Sequence, residues 1–200
     1  MNPIFLSFDV GVRNLAVCKV EVHAGEETKY TIHHWDVMDV LEGVASSKLG
    51  IPETAQHLVN TLLKHEQVLL QEPAPTAVLI EQQPGGKFVN VSMKALSHVL
   101  QTFLYLKAPH IPIHFVSARK KLQTADSHEK GTEQKKRYRS NKQFAKEAAL
   151  ELLQSHVYNS DRALATFTGR GKKDDLADSL LQAVAFSSAP AKKKQRVSKK

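Results

Sequence analysis

The chain opens with the stretch Ile4-Phe5-Leu6-Ser7-Phe8-Asp9-Val10-Gly11-Val12-Arg13-Asn14. Its apolar run, residues 4–8, predicts a buried β-strand, and the segment 10–14 has the residues of a turn. Asp9 therefore stands at the end of a strand, just before Gly11. Such a carboxylate is a candidate metal ligand, because Asp and Glu oxygens bind hard divalent cations.

The segments that follow predict an α/β fold. Two more strands, 15–22 and 30–37, continue the first as an antiparallel meander. Strands reached through helices run parallel to the first strand by right-handed crossovers, so we expect a mixed five-stranded sheet with helices on both faces. The predicted elements beyond the meander are a helix from Pro52 to Leu70, a strand at 77–80, a helix from Val91 to near Pro109, a strand at 111–116, a helix around 144–153 and a last helix opened by Asp175.

Size and composition predict one domain, residues 1–189, followed by a basic tail, 190–200. The chain has 200 residues and 42% of them are hydrophobic, which is enough for a real core. No uninterrupted apolar run is long enough to cross a membrane, and the N-terminus lacks the layout of a signal peptide, so we expect an intracellular protein. The single cysteine, Cys18, lies in an apolar strand pattern and is interpreted as a core residue in a reducing compartment.

The net charge of +8 is unevenly distributed. Nine basic and three acidic residues fall in 117–142, and six basic residues with no acid fall in 190–200, so the rest of the chain is slightly acidic. We predict that residues 118–140 form an exposed, mobile basic loop, because they carry almost no apolar periodicity. An acidic body with basic extensions is typical of a metal-dependent enzyme that acts on a polyanion. The tail is equally consistent with a solvated segment, a short nuclear localisation signal or a DNA-binding arm.

Three further acids accompany Asp9. Glu81 ends the apolar run 77–80, and Asp175 and Asp178 lie three residues apart, on one face of the last helix. Oxygen-only ligands favour Mg²⁺ or Mn²⁺, and a pair of such ions is a common catalyst of phosphodiester hydrolysis, so the acids predict a nuclease. Taken one at a time, each acid also has a structural explanation: a turn cap, a surface ion-pair partner or a helix N-cap.

The order of these motifs resembles a known family. The runs are Phe8-Asp9-Val10-Gly11-Val12-Arg13-Asn14-Leu15-Ala16, Ile80-Glu81-Gln82-Gln83-Pro84 and Lys173-Asp174-Asp175-Leu176-Ala177-Asp178-Ser179-Leu180-Leu181. They are similar to the motifs of Holliday junction resolvases with a ribonuclease H-like fold, and most similar to the poxvirus-type branch, which is related to the bacterial RuvC and fungal mitochondrial enzymes. The resemblance extends from about residue 3 to residue 186.

The resemblance implies a structure-selective endonuclease that resolves four-way and other branched DNA junctions. Two Mg²⁺ ions, for which Mn²⁺ substitutes, would be held by Asp9, Glu81, Asp175 and Asp178, with Asp9 bridging, and cleavage would leave 5′-phosphate and 3′-hydroxyl ends. The family spacing selects Asp175 over its neighbour Asp174, which is the reserve candidate. The resemblance also implies a homodimer, since a junction has two equivalent strands to cut.

Basic residues near the acids are candidates for phosphate contacts. The family has a functional lysine after the fifth strand, which the resemblance assigns to Lys121, with Lys120 as the alternate. Arg119 precedes them, Lys87 follows the segment Pro84-Gly85-Gly86, and Arg13 lies in the first turn. Contacts of this kind position nucleic acid without reading its bases, as suits recognition of junction shape.

Other functions remain open. The metal geometry is compatible with an RNA-processing or RNase H type nuclease, and a noncatalytic DNA-binding module would keep the same fold. The actin and sugar-kinase superfamily is disfavoured, because it needs two such domains. A zinc site is rejected, because the histidines are scattered and the adjacent His33 and His34 point to opposite faces of a strand. Poxvirus-like motifs suggest a viral protein located in the host cytoplasm or nucleus.

Overall fold

The opening stretch forms the central strand of the sheet in a computed structural model, which describes residues 1–83, 90–117 and 134–188, with only the backbone of 134–141. The strands are β1 (Ile4–Val10), β2 (Asn14–His23), β3 (Lys29–Asp39), β4 (Ala77–Gln82) and β5 (Ile113–Ser117), in the order β3-β2-β1-β4-β5. The first three strands pair antiparallel, and β4 and β5 are parallel to β1. The predicted mixed five-stranded sheet is confirmed.

Helices cover both faces of this sheet, as predicted. They are α1 (Ile51–Leu70), α2 (Val91–Lys107), α3 (Gln134–His156), α4 (Ser160–Gly169) and α5 (Lys173–Ser187), with a short 3₁₀ turn at Ser46–Lys48. One apolar core lies between the sheet and α1 and α2, and it includes Phe8 and Ile80. The other lies between the sheet and α3, α4 and α5, and it includes Trp35 and Leu176. Among the described residues, no helix is long and apolar enough to span a membrane.

The turn between β1 and β2 requires glycine. The Gly11 N–H donates to the Asn14 carbonyl oxygen at 3.0 Å. A Cβ atom added at Gly11 would lie 2.7 Å from that same oxygen, which is too close for any side chain. The turn therefore closes tightly, and it returns the chain to β2 directly beside Asp9, which pairs with Ala16.

The structure differs from the predictions at helices α3 and α4. Helix α3 begins at Gln134, so residues 134–140 are helical and not part of the predicted basic loop. Lys, Arg and Gln are good helix formers even without an apolar stripe, and the prediction relied on that stripe. Helix α4 was not predicted, because its buried side chains, Ala163 and Phe167, are too few to make a periodic pattern. The remainder of the predicted loop, 118–133, and the tail, 190–200, lie outside the described residues.

The single cysteine lies in the core, as the sequence predicts. Cys18 is fully buried in the core under α3, α4 and α5, and burial raises the pKa of its thiol. The interpretation of Cys18 as a core residue is confirmed.

Candidate active site

The pairing of β1 with β4 places two of the predicted acids side by side. Phe8 pairs with Ile80 in the parallel register, so the next residues, Asp9 and Glu81, lie at the same level on neighbouring strands. Phe8 and Ile80 point into the core under α1 and α2. Because side chains alternate along a strand, Asp9 and Glu81 point to the opposite face, where α5 packs. Both acids are partly buried.

Helix α5 is fixed across this face by two polar contacts. The Gln182 amide donates to the Phe8 carbonyl oxygen at 3.3 Å, and the Asn14 amide donates to Asp175 Oδ2 at 3.4 Å. These contacts place the C-terminal part of α5 level with Phe8 and its first turn level with the start of β2. Asp178 lies one helical turn before Gln182, between the two contacts. The first turn of α5 therefore reaches the end of the sheet where Asp9 and Glu81 lie.

A buried tryptophan provides a third anchor for α5. Trp35 Nε1 donates to the Leu176 carbonyl oxygen at 3.0 Å, and the Ser179 hydroxyl lies 3.3 Å from the same nitrogen. The indole ring also stacks on Phe167 of α4, with 5.5 Å between ring centroids. Helices α4 and α5 are thus tied to β3 through a single side chain.

The neighbouring acids Asp174 and Asp175 have different partners. Asp174 forms an ion pair with Lys142 of α3. Burial opposes ionisation of Asp174, but the hydrogen bond and charge of Lys142, a backbone hydrogen bond and the Lys146 charge together outweigh it, and the pKa of Asp174 is lowered. Asp175 faces Asn14 at the sheet, and its pKa is raised, first by burial and then by the adjacent Asp174 charge. Asp175, the predicted ligand, is therefore the acid turned toward β2, and Asp174, the reserve candidate, is turned toward α3.

The structure does not bring the acids into a finished metal cluster. Across the described ranges, no group of three or more His, Cys, Asp or Glu side chains is close enough to hold a metal ion. Asp9, Glu81 and Asp178 each interact with another group of the protein. Like charges resist closer approach. The four predicted ligands thus share one end and one face of the sheet, and their joint role as metal ligands stays a prediction.

Of the predicted phosphate-binding residues, one is described. Arg13 lies in the turn after β1 and forms an ion pair with Asp39 at 3.2 Å, with 51% of its side chain exposed. It is at the same end of the sheet as Asp9 and retains N–H groups that face solvent. Lys87, Arg119, Lys120 and the predicted catalytic Lys121 lie outside the described residues.

Three residues that the sequence did not single out contribute to the site. They are Asn14, which contacts Asp175; Lys142, which holds Asp174; and Gln182, which joins α5 to β1. Asn14 was visible as a turn residue next to Asp9, and Lys142 as part of a basic run. The sequence could not predict which acid each of them contacts, because Asn14 and Asp175 are 161 residues apart in the chain, and Lys142 and Asp174 are 32 residues apart.

Comparison with known proteins supports the same fold. Residues 5–84 match the family model described as mitochondrial resolvase Ydc2 / RNA splicing MRS1. This segment contains Asp9 and Glu81 and stops before α5. No curated protein sequence matches the chain.

Several solved structures share the fold. RuvC of Thermus thermophilus superposes with a TM-score of 0.58 at 14% identity, over 92% of this chain and 95% of that one. The yeast mitochondrial Holliday junction resolvase Ydc2 gives 0.56 at 19% identity, over 92% and 79%. T. thermophilus RuvC in complex with a Holliday junction substrate gives 0.56 at 14%, over 92% and 94%. The predicted ribonuclease H-like fold, with its likeness to RuvC and fungal mitochondrial resolvases, is confirmed, whereas the poxvirus-type branch stays a prediction.

Proposed function

We propose that this protein is a metal-dependent endonuclease that resolves four-way and other branched DNA junctions. The observation that carries the proposal is the shared level of Asp9 and Glu81 on parallel strands, on the sheet face that meets the first turn of α5. The proposal is also supported by the family model matched over 5–84 and by a structural neighbour that was solved with a Holliday junction.

The donor set fits hard divalent cations. Asp9, Glu81, Asp175 and Asp178 offer carboxylate oxygens only, the ligand type that Mg²⁺ and Mn²⁺ prefer over softer metals. These four residues, Asp9 among them, would hold two Mg²⁺ ions. When bound, such ions lower the pKa of water and stabilise the departing oxygen of a phosphodiester. The products expected are 5′-phosphate and 3′-hydroxyl ends.

The protein's own part is to position charge. Asn14 orients Asp175 by its hydrogen bond, and Gln182 holds α5 against β1, so that the helical acids stay opposite the strand acids. Lys142 keeps Asp174 on the α3 side, which leaves Asp175 directed toward the sheet. Arg13 offers exposed N–H donors at the end of the sheet where Asp9 lies, where a phosphate of the substrate strand would pass. Lys121 is proposed as a further phosphate contact.

The proposed active form is a homodimer. A four-way junction presents two equivalent strands, and a twofold pair of subunits would present one carboxylate site to each. Within a dimer, paired cuts would be symmetric about the junction.

A cleavage experiment tests the function. The protein, Asp9→Asn and the charge-matched surface control Glu26→Gln are incubated with a labelled four-way junction, a linear duplex and an RNA–DNA hybrid, with Mg²⁺ or with a chelator. We expect paired, symmetric nicks in the junction alone, in Mg²⁺, with the protein and with Glu26→Gln but not with Asp9→Asn. Equal cutting of all three substrates would instead identify a general nuclease of this fold.

A second candidate is an RNA-directed protein. The description of the matched family includes RNA splicing as well as resolution. An RNase H type or RNA-processing nuclease would cut the hybrid or an RNA in preference to the junction. A noncatalytic binding module would bind nucleic acid without cutting any of the three substrates. Retention of all four acids favours catalysis over the noncatalytic module.

A further inference from the structure

A second polar cleft lies outside the carboxylate site, between the edge strand β3 and helix α4. It has a volume of about 210 Å³, and its lining includes His33, His34, Arg162, Thr166 and Arg170. Strand β3 is the edge strand on its side of the sheet. The register of its pairing with β2 shifts between Lys19 and Val20, so that His33 has no partner residue in the pairing. The irregularity lies directly at the cleft.

Both walls of the cleft are held in place by contacts within the protein. Asn159 lies just before α4. Its side-chain oxygen accepts a hydrogen bond from the Ile32 N–H at 3.0 Å, and its side-chain nitrogen donates to the Ile32 carbonyl oxygen at 2.6 Å. Farther along, Trp35 of β3 stacks on Phe167 of α4. The helix is thus pinned to the strand at two points, and the cleft is formed before any ligand arrives.

The charged groups of the cleft are suited to an anion. Arg162, Thr166 and Arg170 are spaced four residues apart, so they lie along one side of α4 and its C-terminal end. Asp36 forms an ion pair with Arg170 at 2.7 Å, which orients the guanidinium while 52% of the Arg170 side chain stays exposed. An arginine has five N–H donors, so donors remain for a second acceptor. The residues that line the cleft thus include one carboxylate, Asp36, and two guanidinium groups.

The dimensions and position favour a sugar–phosphate backbone over a small anion. At 1.5 Å per residue, Arg162 and Arg170 are about 12 Å apart along the helix, which corresponds to roughly three to four nucleotide steps of one DNA strand at 3.4 Å per step. Arg170 is also five residues before Asp175, and Lys172 and Lys173 lie between them. The basic side chains therefore lead from the cleft toward the carboxylate site.

We propose that the cleft between β3 and α4 is a binding site for backbone phosphates of a DNA arm, which Arg162 and Arg170 contact at a distance from the cut. This inference rests on the proposed function for its ligand. It extends that function by naming a surface that holds the substrate without taking part in cleavage. Base sequence would not matter to these contacts, because guanidinium groups on phosphates carry no sequence information.

The test measures how salt weakens DNA binding, in the presence of chelator so that no cleavage occurs. Each phosphate contact to duplex DNA contributes about 0.9 to the slope of log affinity against log salt concentration. We expect Arg162→Gln to reduce the slope by about 1 and the double variant Arg162→Gln/Arg170→Gln by about 2. The matched control is Lys107→Gln, which removes one charge at the end of α2, on the opposite face of the sheet.

The double variant also removes the Arg170–Asp36 ion pair, and circular dichroism of each variant shows whether this disturbs the fold. In that event the single variant Arg162→Gln, which keeps the ion pair, decides the test. Unchanged slopes in Arg162→Gln, or an equal change in Lys107→Gln, would overturn the proposal. Binding of poly-glutamate that is lost in the arginine variants, with DNA slopes unchanged, would overturn it in favour of an acidic protein segment. Because binding is measured without cleavage, failure of the proposed nuclease activity would leave this result interpretable.

Discussion

Asp174 and Asp175 are adjacent in the chain but contact different parts of the protein, because successive side chains of a helix are rotated by about 100°. Asp174 is paired with Lys142, whereas Asp175 is directed to Asn14 at the sheet. We expect Asp175→Asn to lower the single-turnover rate of junction cleavage by about 100- to 1000-fold, as for loss of a group that stabilises transition-state charge. Asp174→Asn removes only a partly exposed ion pair, and we expect its rate to fall less than about tenfold.

The two variants serve as controls for each other, because each replaces one carboxylate by an amide of the same shape. Junction binding in chelator and thermal unfolding check that both remain folded. The reverse ranking, with Asp174→Asn the more damaging, would move the ligand assignment from Asp175 to Asp174.

Trp35 makes two contributions that can be measured separately, a hydrogen bond and the packing of its ring. Trp35→Phe keeps an aromatic ring against Phe167 but removes the indole N–H that donates to Leu176. The Leu176 carbonyl oxygen still accepts from the Ser179 hydroxyl, so only one hydrogen bond is lost, and we expect the free energy of unfolding to fall by about 0.5–1.5 kcal/mol. Trp35→Ala also loses the packing, and we expect about 3–5 kcal/mol. Urea unfolding followed by circular dichroism measures both, and an unchanged free energy of unfolding in Trp35→Phe would show that the hydrogen bond contributes nothing.

At the scale of elements, the sequence predicted what depends on local pattern. The apolar runs 4–8 and 77–80, the second reached through a helix, were sufficient to predict parallel strands, because such crossover connections follow a fixed hand. Helix α4 and the start of α3 were missed, since charge-rich or small-residue helices lack the apolar stripe on which such a prediction depends. The pairing of Phe8 with Ile80, which sets Asp9 beside Glu81, could not be read from sequence. Register is decided by packing between segments that are far apart in the chain.

Lys19 shows how a buried charge can fix the connection between two elements. It lies in β2, is 2% exposed, and donates to the carbonyl oxygens of Gln71 and Pro73 at 3.0 Å each, just after α1 ends. Burial lowers the pKa of Lys19, so the ammonium depends on these acceptors. We expect Lys19→Met, which keeps the apolar stem, to lower the free energy of unfolding by about 1–3 kcal/mol in urea titrations.

The control for Lys19 is Lys64→Met on α1. Lys64 forms a surface ion pair with Glu42 and is 58% exposed, so its loss should cost less than about 1 kcal/mol. If Lys19→Met were as stable as this control, the two carbonyl contacts would have no role in holding the segment between α1 and β4 against β2.

At the scale of the whole molecule, the proposed metal ligands and the proposed phosphate contacts occupy different regions of one sheet. The acids lie at one end of β1 and β4, and the arginines of the cleft between β3 and α4 lie at the edge of β3. Under the proposed function, the carboxylates would concentrate cations where the bond is cut, and the arginines would hold the polyanion away from that point. Such a division predicts that binding and cleavage can be lost separately.

The proposed dimer makes a prediction that no property of a single subunit can imitate. Wild-type protein is mixed with increasing amounts of Asp9→Asn, the subunits are allowed to exchange, and cleavage is followed on a cruciform plasmid junction, which becomes linear only when both strands are cut in one encounter. A mixed dimer has one competent carboxylate site, so we expect nicked circles to accumulate while linear product falls with the square of the wild-type fraction. If the protein cuts as a monomer, the inactive variant only competes for junctions, and nicked and linear products should fall together in constant ratio.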